Sequence, residues 1–476
     1  MTSPFPGRRL AGLAAALLLA GCASTSGIAP EAKLREGPLP AAATSESVPA
    51  VSSQWWREFG DAQLDALVEE ALRGNPNLGV ARARLRRAQA VSEVANAASL
   101  PQLNGALDLT RQRYTENGAV PRPLAGSIRE SGTLQLNASW ELDFFGKNQA
   151  ALDAALGSAK AAEADLAAAR IVLASNVART YFQEVRLQEQ LAVARRTLAQ
   201  REEQLKLVRQ RVGAGLDTNL ELRQSEGALP EARQQVEAVQ EQAQLTRNAL
   251  AALVGKPEVP AVGALPAMAK LQGGTAVPAL PADLLGRRPD IAAARWRVEA
   301  AGKDVKSAKA QFYPSVNLVA FVGLSSIGLD KLLDLGSTQW GAGPALRLPI
   351  FDAGRLRANL RGKTADLDAA VESYNGAVLE AVRETADAVT SLQSIGRQQA
   401  EQHQAESAAD GAYDIAVQRY RAGLGTYLHV LSAESAVLNQ RRLGVDLAAR
   451  ALDARVSLYR ALGGGYAAEG ATVAAH

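Results

Sequence analysis

The chain has 476 residues, 52 basic against 49 acidic side chains for a net charge of +3, 5% aromatic residues and a single cysteine. The charges are interspersed rather than gathered into a stripe and the aromatics are too few for a base-stacking surface, which excludes nucleic acid as a partner. One thiol excludes a disulfide framework and a thiolate metal site, while alanine in runs with Leu, Glu, Gln and Arg signals long helices or coiled coils.

At the amino end, Arg8 and Arg9 precede an apolar run over residues 10–20. About a dozen apolar residues suit a signal h-region and fall short of the ~20 that span a membrane as a helix. Leu19, Ala20, Gly21 and Cys22 follow, a tetrad that resembles the bacterial lipobox. The resemblance implies a signal peptide over 1–21 and N-palmitoyl and S-diacylglycerol lipid on Cys22, with no other cofactor and no metal. Lipid on one residue anchors a chain to a membrane without carrying it across. Ala23 stands where an aspartate would favour the inner membrane, so the lipoprotein sorting rule implies the outer one. The lipidated segment, 22–60, is rich in Pro, Ser and Ala over most of its length and is expected to be extended.

From residue 61 the chain is written twice. NPNLGVARAR at 75–84 sets against RPDIAAARWR at 288–297, running on to LPQLN and YPSVN at an offset of 213 (314 minus 101). VRQRVGAGLDTNLELRQSEGAL at 208–229 aligns without gaps to AVQRYRAGLGTYLHVLSAESAV at 416–437 at an offset of 208 (423 minus 215). The polar loop around 114–129 is the expected place for the five-residue difference. Repeat 1 covers 61–255 and repeat 2 covers 282–462, with a Pro-rich linker at 256–281 and a flexible tail at 463–476. Each repeat predicts helix, strand, strand, long helix, helix.

The strands fall at about 100–115, 130–143, 313–325 and 338–351 by their alternation of period 2. Leu134, Leu136, Ala138, Trp140 and Leu142 share one face, and Gln135, Asn137, Ser139 and Glu141 the other. Val316, Leu318, Ala320 and Val322 alternate likewise, as do Trp340, Ala342, Leu346, Leu348 and Ile350. Trp140, Phe144, Phe145, Phe312, Tyr313 and Phe351 gather near the strand ends, where a membrane interface or a sheet rim would hold them.

Residues 147–212 contain no proline and one internal glycine, Gly157. At 1.5 Å per residue such a helix reaches ~100 Å. Leu187, Leu191, Ala194, Leu198, Arg201, Leu205, Val208 and Val212 step by four and three, a seam broken only by Arg201 that expects a partner along its length. A turn at 213–215 reverses the chain into a return helix at 218–254, which Pro230 is expected to kink or break. The second repeat predicts helices at 355–421 and 426–462.

If the strands lie in a membrane, no sheet edge can face lipid, and four strands cannot close a barrel when the smallest have about eight. Several chains must then pool their strands. Here the doubled plan, LPADLLGRRPDIAAAR at 280–295, IFDAGR at 350–355 and RYRAGLGTYLHVLSAES at 419–435 resemble the TolC-like outer membrane efflux family. With the lipobox, the chain is most similar to its OprM/NodT lipoprotein branch. The resemblance implies a mainly α fold with transmembrane β: a homotrimer with a 12-stranded outer-membrane β-barrel, four strands per chain, continuous with a 12-helix periplasmic α-barrel. It implies the exit duct of a tripartite efflux pump in a Gram-negative outer membrane, extending into the periplasm. The partners are a periplasmic membrane-fusion adaptor and an inner-membrane RND transporter.

The family's constriction positions map to His429 and Ser432, and to Glu221 and Gln224 in the first repeat. The second pair departs from the usual acidic ring. Spacing i, i+3 puts both members on one helical face, with Leu428 and Leu431 turned elsewhere, and histidine titrates near neutral pH, so His429 is a candidate gate residue. The adaptor-docking tips map to Arg211, Gly215, Leu216 and Thr218, and to Arg419, Gly423, Leu424 and Thr426; glycine also serves a tight turn. Three histidines, His403, His429 and His476, and the lack of an HExxH, nucleophile-elbow or Walker sequence argue against an enzyme. A lipid-anchored coiled-coil scaffold would explain Cys22 and the heptads but not the paired strands. Within the fold, protein secretion and metal efflux are the alternatives to small-molecule export.

Overall fold

The structure, a computed structural model, describes residues 25–34, 51–258, 265–271 and 287–467. Cys22 and the signal segment, most of the Pro-rich linker and the last residues of the tail lie outside the described residues. In chain order the elements are α1 (Ala62–Gly74), α2 (Pro76–Ala97), β1 (Gln102–Arg113), β2 (Ile128–Leu142), α3 (Lys147–Gly213), α4 (Asn219–Val254), α5 (Pro289–Ala310), β3 (Ser315–Ile327), β4 (Thr338–Arg347), α6 (Arg355–Arg421) and α7 (Tyr427–Ala461). Among the described residues no helix is long and apolar enough to cross a membrane. The residues divide into two units, one built from the N-terminal stretch with 84–162 and 293–375, the other from the remaining helical segments.

The first unit carries an antiparallel sheet in the order β1-β2-β3-β4. Its register sets Leu103 against Ala138, Ala138 against Ala320 and Ala320 against Ala342. The next such row holds Gly105, Leu136, Val322 and Trp340. Because side chains alternate with period 2, these rows make one apolar face, and Leu103, Leu107, Leu109, Leu136, Val322 and Trp340 on it are exposed. The other face is polar along β1 and β2 and bonded to itself, although β3 adds Val319, Phe321 and Ile327 to it: Thr133 and Ser325 hydroxyls lie 3.2 Å apart, Gln339 Nε2 donates to Gln135 Oε1 at 3.0 Å, and Gln135 donates to Asn137.

Two sequence expectations change here. β4 ends at Arg347, short of Leu348 and Ile350, because Arg347 pairs with Ser315, the first residue of its partner β3. Phe312 is a core residue, buried with Val305, Ala308, Leu356 and Leu360, while Trp140, Phe144, Phe145, Tyr313 and Phe351 stay exposed. The same core receives Ile28 from a strap at 25–34 that runs along α6. Arg357 Nη2 donates to the Ser26 carbonyl at 3.3 Å, Asp368 Oδ1 accepts from Glu31 N and Ala32 N at 2.9 and 3.0 Å, and Asn375 Nδ2 donates to the Lys33 carbonyl at 3.0 Å.

The second unit is helical around a core that includes Trp55, Phe59, Leu64, Val68, Val177, Phe182, Leu250, Val254, Leu452 and Val456. Trp55 stacks on Tyr459 at 5.3 Å. Residues Trp55–Phe59 form a 3-10 turn, so the extended segment expected to reach residue 60 ends earlier: large aromatic surface gains more from burial than from solvent. Part of the linker is also packed, with Met268 and Leu271 in this core. The tail begins as a close turn, since Gly463 and Gly465 have positive φ and a Cβ on Gly463 would come within 1.8 Å of the Arg287 carbonyl. Pro230 lies inside an unbroken α4. Pro230 removes the donor that the Glu226 carbonyl would otherwise meet, while burial of Ala228 and Ala232 on either side holds the helix in place; Arg201 Nη1 adds a bond to the Ala228 carbonyl at 2.8 Å.

The repeat reappears in its hydrogen bonds. Asn75 Nδ2 donates to the Leu253 carbonyl at 2.8 Å, and Arg288 Nη1, at the matching position, donates to the Ala461 carbonyl at 3.2 Å. Each ties the start of the helix that precedes the strands to the end of the last helix in its repeat. Arg288 is buried and also bonds Asp290 and Glu384, with Arg460 on the far oxygen of Glu384. These bonds give the RRPD stretch a structural role.

Candidate functional site

Each long helix ends in the same way. Leu216 N donates to the Arg211 carbonyl at 2.9 Å and Gly215 N to the Val212 carbonyl at 3.0 Å; Leu424 N and Gly423 N repeat this on Arg419 and Tyr420 at 2.8 and 3.1 Å. This is the Schellman closure, which needs a left-handed residue. Gly215 and Gly423 supply it with φ of 72° and 73°. No atom lies within 4 Å of a Cβ built on either glycine, so backbone conformation alone demands them.

The return helices start differently. Thr218 caps α4 in a capping box: its hydroxyl accepts from Leu220 N at 3.2 Å, and Glu221 accepts from Thr218 N at 2.9 Å. The Thr218 bonds hold the Glu221 carboxyl below the usual range. His429 occupies the place of Glu221 in the second repeat, with Nδ1 3.3 Å from Thr426 Oγ1. His429, Ser432 and Gln224 are exposed, as are Arg419, Leu216 and Leu424.

Arg211 is not an exposed docking group. Its guanidinium bonds Asp217 through Nε at 2.8 Å and Nη2 at 3.3 Å and lies 4.6 Å over the Tyr420 ring. The Tyr420 hydroxyl donates to the same carboxylate, joining the two hairpin tips. Burial opposes ionisation of Asp217, but the Arg211 and Tyr420 bonds outweigh it and hold the carboxyl below its ordinary value. The apolar centre between the tips holds Val208, Tyr420, Tyr427 and Val430, with Leu431 against it.

Sequence reasoning missed three features. Leu220 and Leu428 are exposed beside Leu216 and Leu424, so each tip displays two leucines; of the pair expected to turn away from the exposed face, only Leu431 packs inward. Asp217 and Tyr420 lack counterparts in the other repeat (Gly425 and Val212), so alignment of the halves passed over them. Glu434 is 2% exposed, 3.5 Å from Arg201 Nε, and neither carboxylate oxygen has a hydrogen-bond partner among the described residues. Burial pushes its carboxyl up, with Arg201 pulling the other way. The one charged residue in an apolar seam, Arg201, was the available signal for this partner.

An exposed apolar strand face, with long helices ending in paired tips, defines the subunit of an outer membrane channel that reaches into the periplasm. The chain belongs to the outer membrane efflux protein family, whose pattern it matches at residues 67–256 and 280–464. It is 36% identical over 468 residues to the pyoverdine export outer membrane protein OpmQ of Pseudomonas aeruginosa, covering 96% of this chain and 97% of that protein. It is 34% identical over 430 residues to the multidrug resistance outer membrane protein MdtP of Escherichia coli, covering 87% of each. The crystal structure of the outer membrane protein VceC of Vibrio cholerae superposes with a TM-score of 0.79 at 37% identity, covering 87% of this chain and 99% of that one. This chain is therefore an outer membrane efflux channel component with a TolC-like fold.

Proposed function

We propose that three copies of the chain form a passive exit duct, a 12-stranded barrel continuous with a 12-helix tube, that completes a tripartite pump with a periplasmic adaptor and an inner-membrane RND transporter. The observation that carries the reading is the sheet itself: among the described residues β1 pairs only with β2 and β4 only with β3. Each unpaired backbone group facing lipid would cost several kcal/mol, and joining β4 of one copy to β1 of the next removes both edges. The pump supplies energy and selection. The cargo class is small organic molecules, in line with the pyoverdine and multidrug export for which OpmQ and MdtP are named.

Lipid on Cys22 belongs to the same proposal. The strap bonds Ser26 to Arg357, in the first turn of the helix that follows the last strand, a location suited to an anchor at the periplasmic side of the membrane. The exposed leucines at 216, 220, 424 and 428 form the adaptor contact, and His429, Ser432, Glu221 and Gln224 are assigned to the constriction. Native mass of the protein extracted from outer membranes in mild detergent tests the assembly. Three copies are expected. A stable monomer or dimer would leave open edges and overturn the duct.

A further inference from the structure

The two hairpin loops at the outer end of the sheet differ in chemistry. Residues 114–127 are mostly polar or glycine and proline, whereas 328–337 reads GLDKLLDLGS with four leucines. The second loop is built rather than slack. Gly328 N donates to the Glu130 carbonyl at 2.7 Å, Ser337 Oγ to Lys331 at 2.7 Å and Thr338 Oγ1 to Leu335 at 2.8 Å, around two 3-10 turns. It nevertheless leaves Leu333 78% and Leu335 93% exposed.

The direction in which the loop folds is set by Gly132. A Cβ there would meet Leu332 Cδ2 at 2.9 Å, Leu329 Cδ2 at 3.0 Å and Leu109 Cδ2 at 3.2 Å. Gly132 shares its parity with Leu134 and Leu136, so Leu332, 8% exposed, rests on the apolar face of the sheet. The loop thus bends over the outside of the wall rather than across the pore. Arg111, Arg113 and Glu130 stand on that face just beyond the apolar rows, with Arg111 and Glu130 3.6 Å apart. A band of charge at this level marks where hydrocarbon gives way to headgroups.

We propose that the β3–β4 loop is a lipid-contacting flap whose Leu333 and Leu335 lie among acyl chains of the outer leaflet, continuous with the apolar wall. The assignment rests on the barrel reading, which fixes the apolar face as the lipid face. An environment-sensitive fluorophore on Leu335→Cys tests it in the full-length channel in phosphatidylcholine vesicles, quenched by nitroxide-labelled acyl chains or by aqueous iodide. Leu136→Cys serves as the wall control, Asn117→Cys as the water control, and the parent chain reports any label taken up by Cys22. The expected result is loss of emission to nitroxide as at Leu136 and little to iodide; Leu333→Cys repeats the reading if the first variant does not assemble. Iodide quenching as at Asn117 would put the loop in water and overturn the flap. Shielding from both quenchers would mean that a neighbouring chain covers it, and would overturn it equally. Failure of nitroxide to quench Leu136→Cys would remove the barrel reading itself, and the flap with it.

Discussion

Glu434 and Asp217 sit in the same pair of tips and respond to burial with opposite outcomes. Glu434 has lost water and gained only a distant arginine, so its carboxyl is raised above its ordinary 4.5. The folded tip then holds a proton that the unfolded chain has released, and stability falls as pH rises through the folded value. Asp217 has two donors, so its carboxyl is lowered below 3.8, and its contribution is present above that value and lost as pH falls through the folded one. Melting of the detergent-extracted protein should separate the two. Glu434→Gln is expected to gain on the parent as pH rises from ~4.5 toward neutrality. Asp217→Asn should be weaker than the parent at neutral pH, by about 1.5–3 kcal/mol for lost bonds to a charged group, and the gap should close in acid. A pH-independent offset for both variants would remove these titrations from tip stability.

At the scale of elements, what could be read in advance was what repeats along the chain. Period-2 alternation marked β2 around Leu134 to Leu142, and the absence of proline together with the Leu187-to-Val212 seam marked α3, because local pattern and tertiary burial agree there. The strap at 25–34 could not be read, since its order comes from backbone groups donating to Asp368 rather than from any pattern of its own. Trp55–Phe59 was hidden for the same reason: its burial depends on Phe182 and Tyr459, which are distant in sequence. At the tips, the glycine turns were legible from the doubled GAGL and AGLG stretches, while Asp217 and Tyr420 were not, being unmatched between halves. The strap makes its own prediction. Asp368→Ala removes an acceptor shared by two amides, and the segment at 25–34 should become faster to cleave in limited proteolysis while the helical tips keep their protection. Unchanged cleavage would show that Ile28 packing and the bonds to the Ser26 and Lys33 carbonyls hold the strap without Asp368.

The proposed trimer would join these elements through symmetry, and the two faces of the sheet should answer differently to the same charge. Leu136→Arg, on the apolar face, is expected to cost about 2–4 kcal/mol near the membrane midplane and to reduce the trimer recovered from outer membranes. Gln135→Arg, one residue away on the polar face, should assemble and alter ion selectivity instead. Equal loss in both would mean that neither face meets lipid. Symmetry also decides the weight of His429. In one chain it is an exposed residue near Thr426, occupying the capping position that Glu221 fills in the first repeat. In a closed trimer three imidazoles would surround one axis, so a single substitution changes three side chains at the constriction. Conductance of the channel in planar bilayers is therefore expected to change in His429→Ala. Equal conductance in the parent and the variant would take His429 out of the constriction and leave Ser432, Glu221 and Gln224 as the residues to test next.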